Sequence, residues 1–236
     1  MMIKKILPYL AGLCLSSLAL ISYSNSPSTK KIVADSTVSP IKVELNRLPC
    51  VEELKPQLQG LSSQAFDLAL NGYQRLINKG TLSQGALLAI ADLSLPSDQI
   101  RFFVVDIQQG IVHLQTLVAH GKNSGERLAK RFSNKHSSLQ SSLGFFKTGN
   151  PYQGSNGKSL KLIGLEKGIN DQALARGIVI HGAPYVNEQL AKQRGSIGRS
   201  WGCPAVPSEQ NEEIIQLLRN DQCLFIYHPY YQSTVL

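Results

Sequence analysis

The 236 residues predict a mainly β, α+β chain with an N-terminal helical preface and one further helix near the C-terminus. Three observations carry this. Short β-branched and aromatic runs recur from about residue 87 onward. One stretch before them, and one after, has apolar residues at helical spacing instead. Between those later elements lies a glycine-rich segment, 198–204, that favours a tight loop over either regular structure.

Taken in order, the chain begins with a segment that reads as an address. Lys4 and Lys5 precede an apolar stretch from Ile6 to Ile21, and Ser22-Tyr23-Ser24 offers small residues where a signal peptidase reads. Residues 1–24 are therefore expected to be a secretory signal. Pro8 and the 16-residue length argue against a membrane span, with an uncleaved anchor as the alternative. Cys14 belongs to that segment. Residues 25–45, rich in Ser, Lys, Pro and Thr, read as a flexible tether.

Residues 46–86 form the helical preface, and 87–236 the β-rich domain. Phe66, Ala69, Leu70, Tyr73 and Ile77 mark an amphipathic helix over 62–79, closed by Lys79-Gly80. Leu87–Ala91 reads as a strand, and 101–119 as a hairpin turning at Gln108-Gln109-Gly110. The polar stretch 150–158 reads as a surface loop, followed by a strand at Leu160–Ile163. Ile178-Val179-Ile180 then predicts a strand that ends at His181. After the glycine-rich loop, Ser208 is the expected N-cap of a helix carrying Ile214, Ile215, Leu217 and Leu218. A last strand spans Cys223–Tyr227.

The formal charge is +8, and removing residues 1–24 takes away two lysines and no acid, leaving +6. This suits the anionic surfaces of a cell envelope. No nucleic-acid motif accompanies the charge, so nucleic acid is not an expected partner. No Cys/His spacing reads as a zinc site, and no metal or cofactor is expected. Oligomeric state is not addressed by the sequence.

The chemistry concentrates in two residues 22 positions apart, His181 and Cys203. A cysteine attacks as thiolate, and its ordinary pKa of about 8.5 leaves little of that form at neutral pH. A histidine held at a strand end, with the loop returning beside it, corrects this. Gly202 before the cysteine allows close approach of substrate, and the amides around Gly202 and Cys203 are candidate oxyanion donors. The alternative is a buried cysteine and a core histidine that never meet.

The stretch from His181-Gly182 to Gly198-Arg199-Ser200-Trp201-Gly202-Cys203-Pro204-Ala205-Val206 resembles the active-site signature of murein L,D-transpeptidases of the YkuD type. Ser200, Gly202 and Cys203 match the usual Ser/Thr-His-Gly-Cys. Trp201 stands where a second His is usual, and Pro204 or Ala205 where a polar residue is usual. The Gly-Arg-Ser-x-Gly-Cys-Pro form of a second branch fits better. Ser141–Phe146 also loosely resembles a Thr-Pro-x-Gly-x-Phe segment of the same family.

The resemblance implies a β-sandwich-like catalytic domain acting on peptidoglycan stem peptides in the periplasm or cell envelope, with no integral membrane domain after signal cleavage. It implies Cys203 as nucleophile, His181 as base and the Gly182 carbonyl as the group that orients the imidazole. Ser200 would order the loop. Arg199 would pair with a substrate carboxylate or serve a structural ion pair. Trp201 and Tyr185 would flank the stem, a buried Trp packing the loop being the other reading. His120 is either a substrate contact or a loop histidine. If Cys203 is the free thiol, Cys50 and Cys223 remain as a disulfide candidate, with all three unpaired as the alternative.

The expected reaction is L,D-transpeptidation, with L,D-carboxypeptidase trimming or non-catalytic wall binding as alternatives. Papain-like enzymes place the cysteine before the histidine, the reverse of this order. Sortases need an arginine soon after the nucleophile, and the first here is Arg219.

Overall fold

A computed structural model describes residues 49–232, and the side chains from 51 onward. The signal and tether expected over 1–45 lie outside the described residues. The elements are α1 (Pro49–Leu54), continued by a 3-10 turn, then α2 (Ser63–Asn78), β1 (Leu88–Asp92), β2 (Phe102–Asp106) and β3 (Ile111–Thr116). They continue with β4 (Gly144–Gly154), β5 (Gly157–Gly164), β6 (Val179–Ala183), α3 (Glu188–Arg194), β7 (Ala205–Pro207), α4 (Asn211–Leu218) and β8 (Cys223–Tyr227).

The periodicity over 62–79 becomes α2. Ser62 Oγ accepts the Ala65 amide at 3.0 Å as N-cap, and Gly80 leaves the helix at φ +69°. Its apolar stripe, including Phe66, Leu70 and Tyr73, is buried. Gly72 lets the helix settle on the sheet, because a Cβ there would lie 2.0 Å from the Phe145 ring.

The eight strands form one mixed sheet in the order β3-β2-β1-β8-β4-β5-β6-β7. β1 pairs parallel with β8 and β6 parallel with β7; the other pairings are antiparallel. Alternation divides the central strands between two cores. Leu88, Ile90, Phe103, Val105, Phe145 and Phe225 face α1 and α2. Ala89, Phe102, Val104, Phe146, Leu224 and Ile226 share the second core with Ile214, Ile215 and Leu218 of α4. Burial on both faces is why β2 and β8 read as unbroken apolar runs.

The mainly β, α+β class holds, but its sandwich-like layering comes from one sheet rather than two. The chain past β3 returns to the opposite edge, where Ala119 N donates to Ala205 O at 2.8 Å. The two edges of the sheet are thereby bridged.

Three local expectations are corrected. The 150–158 stretch is not a loop: it belongs to the arms of the β4–β5 hairpin, polar because that hairpin faces solvent. Ser208 is not an N-cap, since α4 begins at Asn211 after the turn that leaves β7. The sequence reading also missed α3, although its signals are present. Asn187 Oδ1 caps the Leu190 amide at 2.8 Å, Glu188 opens the helix, Lys192 and Arg194 close it, and Gly195 takes φ +62°.

The Cys50–Cys223 disulfide candidate meets the described side chains at one end only. Cys223 is a free thiol, fully buried in the first core, and burial pushes that thiol strongly up. The side chain of Cys50 lies outside the described residues.

Candidate active site

β6 delivers His181 between Ser159 of β5 and Ala205 of β7. The imidazole is 4% exposed, and its Nδ1 lies 2.9 Å from the Gly182 carbonyl oxygen. A carbonyl only accepts, so Nδ1 carries the hydrogen and Nε2 keeps its lone pair. Packing at Gly182 is close, since a Cβ there would lie 3.0 Å from Asn211 Cβ on α4. Asn211 Nδ2 donates to Lys158 O at 2.9 Å, while its buried Oδ1 has no hydrogen-bond partner among the described residues.

Cys203 is half-buried two residues before β7, alongside the start of β6. Its thiol donates to the Gly177 carbonyl at 3.7 Å, and the Val179 amide faces the sulfur. Burial pushes the thiol up, opposed by that amide and by the Arg176 guanidinium. In parallel register His181 pairs with Ala205, so the structure brings histidine and cysteine onto neighbouring segments despite their separation in sequence. The resting thiol is turned to the Gly177 carbonyl.

Ser200 orders the loop between them. Its Oγ donates to Cys203 O at 2.6 Å and accepts the Gly202 amide at 3.1 Å. The Gly202 N–H, an expected oxyanion donor, is engaged by Ser200 in this structure. What the position requires is glycine itself. Its φ is +124°, and a Cβ would lie 2.7 Å from Gln140 O and 3.3 Å from Arg176 Nη2.

His120 is a support for this loop and not a substrate contact: it is 1% exposed. Its carbonyl accepts the Ser200 amide at 3.0 Å. Its Nδ1 accepts from Arg101 Nη2 at 2.9 Å, which leaves Nε2–H facing Gly125 O at 3.3 Å. Arg101 is itself fully buried and donates also to Leu95 O and Val118 O, carbonyls that compensate its desolvation.

Burial, and then the Arg101 charge, push His120 down to about 4 from its usual 6.5. As pH falls, the unfolded chain therefore binds this proton before the folded one does. The stabilisation is complete above about 6.5, is lost progressively toward 4, and amounts to roughly 3 kcal/mol. Urea unfolding at pH 7 and pH 4.5 is expected to show that loss, reduced in a His120→Gln variant. His228, also lowered by burial, acts in the same direction in both proteins.

Of the two readings of Arg199, the structure has the ion pair: its Nη1 lies 2.6 Å from Glu126 Oε1 and also donates to Gly125 O. Trp201 is 77% exposed, which excludes the buried reading. The Tyr185 ring packs closely against Gly198. Burial first, and the nearby Cys203 second, push its phenol up to about 12.

The sequence reading missed Arg176, which no motif or period marks. Its guanidinium donates to Ser133 O, Ser142 Oγ, Ser138 Oγ and Gln140 O, at 2.5 to 3.1 Å. A cavity of about 560 Å³, lined by Thr116, Leu117, Ala191, Pro207 and Gln210 among others, lies at the far end of β7, with neither Cys203 nor His181 in its lining. Among the described residues, no group of three or more His, Cys, Asp or Glu is placed to hold a metal ion, and no helix is long and apolar enough to cross a membrane.

Solved structures similar to this chain include L,D-transpeptidase 3 from Mycobacterium tuberculosis, at 12% identity over 61% of each chain with a TM-score of 0.39. An L,D-transpeptidase from Stackebrandtia nassauensis matches at 13% identity over 67% of this chain and 65% of its own, with a TM-score of 0.37. The helical cell shape determining protein Pgp2 from Campylobacter jejuni matches at 14% identity over 64% and 50%, with a TM-score of 0.41. In each case less than two thirds of the solved chain is covered. No curated protein matches. The family model for the L,D-transpeptidase catalytic domain matches residues 57–227, from the turn after α1 to the end of β8. A match of that extent, enclosing both His181 and Cys203, makes this chain a member of the L,D-transpeptidase catalytic domain family.

Proposed function

We propose that the chain is a cysteine acyltransferase acting on peptidoglycan stem peptides outside the cytoplasmic membrane, with Cys203 as nucleophile and His181 as its base. The observation that carries this is the His181–Gly182 hydrogen bond, which leaves Nε2 as the proton acceptor on the strand beside the thiol.

In this reading the thiol turns from the Gly177 carbonyl and gives its proton to His181 Nε2. The sulfur then attacks a stem-peptide carbonyl. With the Gly202 N–H held by Ser200, the Cys203 amide is the loop donor left for the oxyanion. Collapse of the tetrahedral species breaks the peptide C–N bond, and the terminal D-amino acid leaves with the proton from His181. The thioester passes its acyl group to an amine of a second stem. Exposed Trp201 and the Tyr185 ring flank the stem, supplying apolar surface beside the nucleophile.

The test is intact-protein mass after incubation with disaccharide-tetrapeptide fragments, with chromatography of the products. An adduct on the wild type and none on Cys203→Ala, with crosslinked dimers, supports transpeptidation. An adduct yielding only shortened monomers makes water the acceptor and the enzyme an L,D-carboxypeptidase. No adduct and no product would move the chain to a wall-binding role.

A further inference from the structure

Arg176 is half-buried beside the nucleophile loop, and its four terminal N–H groups match four acceptors drawn from one segment, 133–142. Two are carbonyls, of Ser133 and Gln140, and two are hydroxyls, of Ser138 and Ser142. A guanidinium has four such hydrogens on its two terminal nitrogens, so this one is fixed in orientation. It has no terminal hydrogen left to fork a substrate carboxylate.

The nucleophile loop is seated on the same assembly. The absent Cβ of Gly202 would meet both Gln140 O, at 2.7 Å, and Arg176 Nη2, at 3.3 Å. The residue after Arg176, Gly177, accepts the Cys203 thiol. Among the described residues Arg176 forms no ion pair, so its charge is not neutralised by a carboxylate. Tyr185, the phenol near Cys203, is pushed up to about 12 by burial and then by the cysteine, and supplies no anion at neutral pH.

We infer that Arg176 is a positioning residue for the nucleophile, a fixed counter-charge that favours the Cys203 thiolate while clamping the 133–142 segment against Gly202; this rests on Cys203 being the nucleophile. The electrostatics agree in sign, since the guanidinium opposes the upward push of burial on the thiol. The inference also accounts for a departure from the usual signature. Pro204 and Ala205 occupy the positions after the cysteine where a polar residue is usual, and here a cation on the segment that precedes β6 lies against Gly202, the residue before the sulfur.

The experiment follows the pH dependence of Cys203 alkylation by iodoacetamide on the full chain, comparing wild type with Arg176→Met and Arg176→Lys, alongside thermal unfolding. Arg176→Met is expected to raise the alkylation midpoint by about one pH unit, which lowers the rate near pH 7 about tenfold, with Arg176→Lys recovering part of it. A wild-type midpoint in folded Arg176→Met, or an equal rise in both variants, overturns the counter-charge. Should the arginine variants fail to fold, Ser138→Ala/Ser142→Ala keeps the charge but removes two acceptors. A raised midpoint there supports the positioning role, and an unchanged one overturns it. Alkylation needs no stem peptide, so this outcome is separate from whether the chain turns over peptidoglycan.

Discussion

Replacing Cys203 by alanine is expected to drop turnover of stem peptides to background, a loss on the order of 10⁴-fold or more. His181→Ala is expected to cost about 10² to 10⁴-fold, the usual range for a general base. The two do not add. A thiol with no acceptor for its proton and an imidazole with no thiol beside it leave the same broken unit, so the double variant matches Cys203→Ala. Steady-state rates on a disaccharide-tetrapeptide donor check both. Full activity in either single variant would mean that the chemistry lies elsewhere in the chain. Neither change disturbs the Ser200 hydrogen bonds that shape the loop, so thermal unfolding is expected to move little.

Gly202→Ala is the second large effect, and it separates geometry from chemistry because every reacting group is kept. The new Cβ brings two penalties at once, a φ of +124° that side chains rarely adopt and a 2.7 Å approach to the Gln140 carbonyl. Strain of this kind costs about 1 to 3 kcal/mol. The backbone is expected to relieve it by lifting Cys203 away from β6. A displacement of about 1 Å at a reacting atom costs on the order of 100-fold in rate. Activity should therefore fall by about two orders of magnitude, while the melting temperature drops by roughly 2 to 10 °C. Wild-type kinetics in this variant would show that the loop tolerates a side chain at that point.

Much of the fold follows from short-range pattern. α2, the β2–β3 hairpin and β8 are legible because each has its own local signal, an amphipathic period, a turn closed by Gly110, or an apolar run five residues long. The parallel pairing of β1 with β8 is not legible, since it joins segments 135 residues apart and depends on closure of the whole chain. The site divides in the same way. His181, Gly182, Ser200 and Cys203 stand in a recognisable order, and the histidine's bond to its neighbour's carbonyl is local. Arg101 and Arg176 act through carbonyls of distant loops, and a guanidinium that binds carbonyls has no sequence partner to betray it. Arg199 shows the converse. It sits inside the signature, yet its partner Glu126 comes from a loop that no motif marks.

β8 is the last strand among the described residues, and it lies in the middle of the sheet between β1 and β4. Within the sheet, the three strands on one side are joined to the four on the other by its backbone, the outer edges being bridged besides at Ala119 and Ala205. A nascent chain that has not yet delivered residues 223–227 therefore carries two half-sheets, each with an unsatisfied inner edge. The α4 face and the loop bearing Cys203 have no completed second core to rest on until Leu224 and Ile226 arrive. Assembly is thus held back until nearly the whole described chain is present, and the Cys203 loop is not set on a half-built scaffold.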